Sequence, residues 1–361
     1  MEKKGLRRSI LLGALGNALG SWIKVFAADP SLFWLLMVGQ TIVACSQIFI
    51  LSVPPRLAAI WFSPEEVSRA CAMGVFGNQL GIALGFQIPS LLVPNSADPT
   101  QVKAGLQALL GGVAAVTSII FVSVVIGFRE KPPLPPNRGQ LIEKPSGYWS
   151  SMRQLVTNRS YVLLLISYGI NTGTFYAIST LLNQFASAYY PGEDKTIGLL
   201  GLMLVVAGMA GSVVCGSILD KTKKFKEVTL VVYALSMTGM LAYTLALPMG
   251  RLWLLFVIAC TLGFFMTGYL PIGFEFASEL TYPEPESTSS GLLNAAAQIF
   301  GILFTSIATE IFRLYGDRPS NFALTGALVV GTILTALCKS DLRRQRAFAG
   351  ESRSSLEQPS V

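Results

Sequence analysis

The chain contains no histidine among its 361 residues. That absence removes the side chain that titrates nearest neutrality, the commonest metal ligand and the commonest haem axial ligand. Enzymatic chemistry thereby loses its usual general base, and the reading is of a non-enzyme with no resident cofactor or metal. Charge is scarce as well. Only 13% of residues are Asp, Glu, Lys or Arg, against about 25% in soluble domains. The five cysteines stand far apart, at 45, 71, 215, 260 and 338, with no C-x-x-C pair, so neither a disulfide framework nor a zinc knuckle follows. What the chain has in plenty is apolar residue: 52% is hydrophobic, with 34 glycines, 19 prolines and 21 phenylalanines. Such a composition suits helices that pack closely, kink and face lipid.

A helix needs about 20 apolar residues to cross a bilayer. Runs near 8–27, 31–53, 68–93, 104–128, 160–188, 197–219, 228–248, 252–276, 288–312 and 321–338 predict an all-α membrane protein of ten spans. The one long connection, 129–159, is Pro-rich and basic. The layout is therefore four spans over 1–128, a linker over 129–159, six spans over 160–338 and a tail over 339–361. If the N-terminus is cytoplasmic and the spans alternate, 21 of the 27 Lys and Arg fall on the cytoplasmic side, against Lys24, Lys103, Lys195, Arg251, Arg313 and Arg318 on the other. The excess of positive charge inside predicts that both termini, the linker and the tail are cytoplasmic. Because the basic residues sit in short clusters between apolar spans, the net charge of +7 reads as topology and not as a nucleic-acid surface. The sequon at Asn158 and Ser160 falls in the linker and is predicted to stay unmodified.

Residues 1–28 also have the outline of a secretory signal, a basic start and a short apolar core before Phe26, Ala27 and Ala28. Internal similarity weighs against it. Lys223, Lys224 and Lys226 open the seventh span much as Lys4, Gly5, Arg7 and Arg8 open the first, and in the later case Gly216, Asp220 and Lys221 precede them. The later copy resembles the G-x-x-x-D-[RK] loop that joins the second and third helices of each half of major facilitator carriers. Its physics is a tight inter-helix turn with an acid able to meet a helix N-terminus. On that resemblance the first span is the third helix of its half. The fold implied is a major facilitator fold, N-terminally truncated to four plus six helices. A five-plus-five carrier would put its midpoint after the fifth span instead.

Longer stretches are more specific. QIFILSVPPRLAAIWFSPEEVS (47–68), GVFGNQLGIALGFQIPSLLVPN (74–95), YGINTGTFYAISTLLNQ (168–184), the run 263–305 and ALCKSDLRRQ (336–345) resemble the feline leukaemia virus subgroup C receptor-related carriers. The resemblance implies transport of choline and ethanolamine by alternating access, or else of haem. It also implies a plasma-membrane location, with an internal membrane (mitochondrial or endoplasmic reticulum) as the alternative, and a viral envelope protein as a further partner. A non-transporting truncated isoform or incomplete gene model is a third reading, because the family's first helix, which supplies an aromatic wall of the choline site, has no counterpart here.

The residues point to a site of their own accord. Tyr168–Tyr176 carries Gly169, Gly173 and a run of polar residues inside an apolar span, and reads as a break in the helix. Thr172, Tyr176, Ser179 and Asn183 recur at helical spacing and share one face, which is costly against lipid and should look into a cavity. Tyr176, beside Phe175, is the first candidate contact, since a quaternary ammonium is recognised by aromatic faces. Gln47 lies seven residues after Gln40, and Gln298 four after Asn294. An amide at mid-span also reads as a simple tie between helices, worth about 0.6 kcal/mol. The resemblance implies more: Gln47, Tyr176 and Gln298 match family positions that line the choline pocket. Asn78 and Gln79 read as packing. Glu275 and Glu279, after Pro271 and Gly273, read as a gate or ion pair and not as proton-coupling groups, which favours facilitated diffusion.

Overall fold

In a computed structural model, residues 5–343 are described except 51, 52, 54–56, 58, 59, 63–66, 97, 131–147, 283 and 285. The motif 47–68 is therefore described only in part, and the expected linker and tail fall largely outside the described residues. The chain divides into two units, Met1–Glu143 and Lys144–Val361. Among the described residues every long element is helical. The first unit has α1 (Leu6–Phe26), α2 (Phe33–Ile50), α3 (Val67–Leu92) and α4 (Pro99–Gly127). The second has α5 (Tyr148–Thr157), α6 (Arg159–Ser187), α7 (Asp194–Thr222), α8 (Phe225–Ala246), α9 (Leu252–Thr281), α10 (Glu286–Tyr315) and α11 (Asp317–Leu337).

Nine helices among the described residues are long and apolar enough to cross a bilayer. The tenth expected span is α3, which is long enough at 26 residues but is diluted by Asn78, Gln79 and Gln87. Helix boundaries follow local chemistry. Asp98 caps α4, its carboxylate accepting the Thr100 N–H at 2.9 Å, with Pro99 preset for the first turn. Asn158 caps α6 by accepting the Tyr161 N–H at 3.3 Å. The α7–α8 turn is closed by Lys223, the one non-glycine residue at positive φ (53°) among those described. Its N–H donates to the Leu219 carbonyl at 2.8 Å, and α8 starts two residues later.

In the first unit α1 is central. Gly16 rests on Ser46, and the Gly20 and Gly39 backbones meet across α1 and α2, so that added Cβ atoms would collide with carbonyl oxygen. On its other side α1 meets α4, where Trp22 Nε1 donates to Ser118 Oγ at 2.9 Å. The Glu130 carboxylate accepts the Leu6 and Arg7 N–H groups at 2.7 and 3.1 Å, so an acid from far along the chain caps the start of α1. Helix α3 meets α4 near their shared turn, where Gly105 lies on the Leu92 carbonyl.

In the second unit α6 and α9 form the middle. Helix α9 is locked to α7 by small residues: Gly211 lies on the Phe264 carbonyl, Gly263 on the Leu204 carbonyl, and Ser212 Oγ donates to the Thr267 carbonyl at 3.1 Å. Tyrosine hydroxyls tie the rest. Tyr233 of α8 donates to the Ser167 carbonyl at 2.9 Å, and Tyr161 of α6 donates to the Ser289 carbonyl at 2.7 Å. One element departs from the sequence reading. Within the stretch 129–159, read as a loop, Tyr148–Thr157 is helical. Ser151 and Leu155, one turn apart, are buried, each 1% exposed. An inward pair one turn apart is too short a pattern to stand out from sequence.

Candidate functional site

The segment Tyr168–Tyr176 is not a break. It is the middle of α6, which runs unbroken for 29 residues. The two glycines serve a different end. Spaced four apart, they make a G-x-x-x-G stripe that lets a neighbouring helix approach closely. A Cβ at Gly173 would come within 2.7 Å of the Phe300 backbone and 2.9 Å of the Gly301 nitrogen, and one at Gly169 would strike the Phe300 ring. Gly301 answers from α10: a Cβ there would lie 2.9 Å from Cδ2 of Tyr176. The helices run parallel, since Tyr161 meets Ser289 near their start and Phe185 meets Phe312 near their end, at 5.3 Å between ring centroids.

This packing sets the Tyr176 ring on the glycine surface of α10. The ring is half-buried, with Phe175 beside it at a centroid distance of 6.4 Å. Tyr161 and Tyr168 are fully enclosed. Tyr168 belongs to a separate cluster, tilted at 5.8 Å from Tyr269, which meets Tyr233 edge-on at 5.2 Å. So of the three α6 tyrosines only Tyr176 keeps an uncovered face. Gln298 precedes Gly301 by one helical turn, a rise of about 4.5 Å. It and Asn294, a further turn back, are both exposed on α10.

Several polar groups of α6 are buried without a hydrogen-bond partner: both amide atoms of Asn171, the Thr174 hydroxyl and the Ser179 hydroxyl. An unpartnered buried amide is costly, and Asn171 is 0% exposed. The sequence reading put Thr172, Tyr176, Ser179 and Asn183 on one face but gave Asn171 no role.

The chain matches the family model of the Major Facilitator Superfamily over residues 1–340. It is 53% identical over 352 residues to the zebrafish Danio rerio choline/ethanolamine transporter flvcr2a, a match covering 96% of this chain and 75% of that protein. The chain belongs to the feline leukaemia virus subgroup C receptor-related branch of that superfamily. It is also 48% identical to the human choline/ethanolamine transporter FLVCR2 over 96% of this chain and 67% of that one. To an uncharacterized MFS-type transporter of Caenorhabditis elegans it is 53% identical over 97% of this chain, and it spans 60% of the nematode protein's length. Among solved structures, a bacterial homologue of the lysosomal transporter Spinster superposes with a TM-score of 0.76 at 14% identity, covering 95% of this chain and 85% of that one. The Escherichia coli fucose:proton symporter superposes at 0.61 and 15% identity, covering 92% and 84%. At these identities the superpositions speak for the fold alone.

Within the family frame the remaining candidates fall as follows. Gln47 is exposed on α2, two turns from Gln40, which accepts a hydrogen bond from Lys24 Nζ at 3.0 Å. Gly216 sits in open space near the end of α7, with no neighbour within 4 Å of an added Cβ, and Lys221 is exposed. The Asp220 side chain lies outside the described residues. Glu275 is exposed and Glu279 is 5% exposed, both near the end of α9. The glycine pairing that seats Tyr176 was available to sequence reasoning as a G-x-x-x-G spacing, and was missed because two glycines in a polar run also fit a helix break.

Proposed function

We propose that the chain is a choline and ethanolamine carrier, working by alternating access as a facilitative uniporter in the plasma membrane, with both termini cytoplasmic. The observation that carries this reading is the half-open Tyr176 ring, seated on Gly301 with the Gln298 amide one turn away. An aromatic face attracts a quaternary ammonium by roughly 0.5–2 kcal/mol, and an amide serves the hydroxyl at the other end of choline. The names of the zebrafish and human relatives support the same substrate class. By the family match alone, Gln47 is assigned a ligand contact as well. The uniport reading is supported by where the acids stand: α6 has none, and on α7 through α11 Asp and Glu lie within about two turns of a helix end.

The deciding measurement is choline binding to the purified chain by calorimetry. Tyr176→Phe keeps the aromatic face and should bind within about threefold of the parent, whereas Tyr176→Ala should lose tenfold or more. Equal binding by Tyr176→Ala would overturn the assignment. Haem offered in the same assay tests the competing substrate, and tighter binding of haem that ignores Tyr176 and Gln298 would favour it. A choline flux that collapses with the pH gradient would overturn uniport.

A further inference from the structure

The second unit carries a cleft that the transport reading does not use. It measures about 370 Å³ and is lined by Arg153, Gln154, Thr157, Asn158 and Arg343. Its two arginines come from segments 190 residues apart: Arg153 from α5, immediately before the α6 span, and Arg343 just beyond the end of α11. Both segments flank the membrane end of a span, so the cleft sits at headgroup depth.

The chemistry of the lining favours an oxyanion. Guanidinium groups present a planar fork that matches phosphate bidentately. Arg343 is held in place by Asp341, whose Oδ2 accepts from Nε at 2.8 Å, leaving the two terminal nitrogens to donate elsewhere. Gln154 and Thr157 are exposed and add neutral polar groups. The Asn158 amide is committed, donating to the Leu280 carbonyl at 3.0 Å, so it shapes the wall and does not contact ligand. Two carboxylates oppose an anion. Asp341 is paired with Arg343, and Glu284 lines a smaller recess that also touches Gln154 and Arg343, so the anion belongs on the Arg153 side of the cleft. Neither arginine lies in a span, and Arg343 is paired through Nε with Asp341, so its terminal nitrogens and the Arg153 guanidinium are what the cleft offers an anion.

We infer that this cleft binds a phosphomonoester group at the membrane surface, borne by an inner-leaflet lipid headgroup or by a soluble polyphosphorylated ring. The inference rests on the cytoplasmic placement of this face proposed above. Basic pockets at the cytoplasmic ends of transmembrane helices are where phosphorylated headgroups gather, because the leaflet itself is anionic.

The test uses the full chain in nanodiscs, which expose both faces and so do not depend on orientation. Phosphatidylinositol 4-phosphate in a phosphatidylcholine background is one probe, phosphatidylcholine alone the blank, and soluble inositol 1,4,5-trisphosphate the second probe. Saturable binding of either, weakened at least about tenfold in R153Q/R343Q and reduced by raising salt, supports the site. Binding of the lipid alone assigns the membrane source, and binding of the soluble probe the cytosolic one. Binding of neither, or binding unchanged in R153Q/R343Q, overturns it. R318Q, at the start of α11 and so at the opposite end of that helix from Arg343, should bind like the parent, and retained choline affinity in R153Q/R343Q shows that the double variant folds. Labelling of a cysteine placed at position 153 from inside or outside whole cells tests the orientation separately.

Discussion

Single atoms decide the geometry at Tyr176. Its ring rests where α10 has no side chain at all, so the position of the aromatic face depends on residue 301 having no Cβ. Gly301→Val should force the ring off α10 and weaken choline binding by about tenfold while the helical circular-dichroism signal persists; an unchanged affinity would show that the ring is placed by something else. The Tyr233 hydroxyl makes a similar demand on Gly331. A Cβ there would overlap Oη and crowd the ring carbon behind it, although Gly→Ala inside a helix ordinarily stabilises by about 0.5–1 kcal/mol. Gly331→Ala should therefore lower the melting temperature in detergent, and Y233F/G331A should recover part of the loss because the colliding oxygen is gone. A double variant no more stable than Gly331→Ala would mean that the hydroxyl is not the obstruction.

Between elements, glycine is read by what lies opposite it. Along α7, Gly211 lies against the Phe264 carbonyl of α9, while Gly216, five residues on, faces open space. Gly211→Val should cost about 3 kcal/mol or more, because backbone cannot step aside as a flexible side chain can. Gly216→Ala should be neutral or stabilising by up to about 1 kcal/mol. Thermal unfolding in detergent ranks the two, and equal losses would overturn the packing account. The contrast also shows how far the sequence could be read. Span positions were legible because a bilayer demands about 20 apolar residues, and the turn at Lys221–Lys226 was legible because basic residues and a short loop mark it. Which glycines carry a helix contact was not legible, since that depends on the partner's register and no period within one helix reveals it. For the same reason Tyr176 was singled out by its chemistry while its glycine seat was not, and the α5 helix was lost inside a stretch whose prolines and charges spoke for a loop.

At the scale of the whole molecule, the placement of charge makes a prediction about sidedness that the local geometry sharpens. Asn158, the asparagine of the linker sequon, caps α6 through Oδ1 and donates through Nδ2 to the Leu280 carbonyl of α9. Glycosylation needs that nitrogen in the lumen, free of partners, so it would require both the opposite orientation of the span and a loosened junction between α6 and α9. Neither fits a chain in which basic residues crowd this face. Expressed in cells with a glycosylating secretory pathway, the protein should run at the same mobility before and after endoglycosidase, and Asn158→Gln should leave that mobility unchanged. A sequon built into the turn around Gly192, which joins α6 to α7 at the other face, should acquire a glycan and lose it on digestion. A glycan at Asn158 with none at the engineered turn would invert the topology, and with it the cytoplasmic placement of the arginine cleft, while leaving the Tyr176 seat in the second unit untouched.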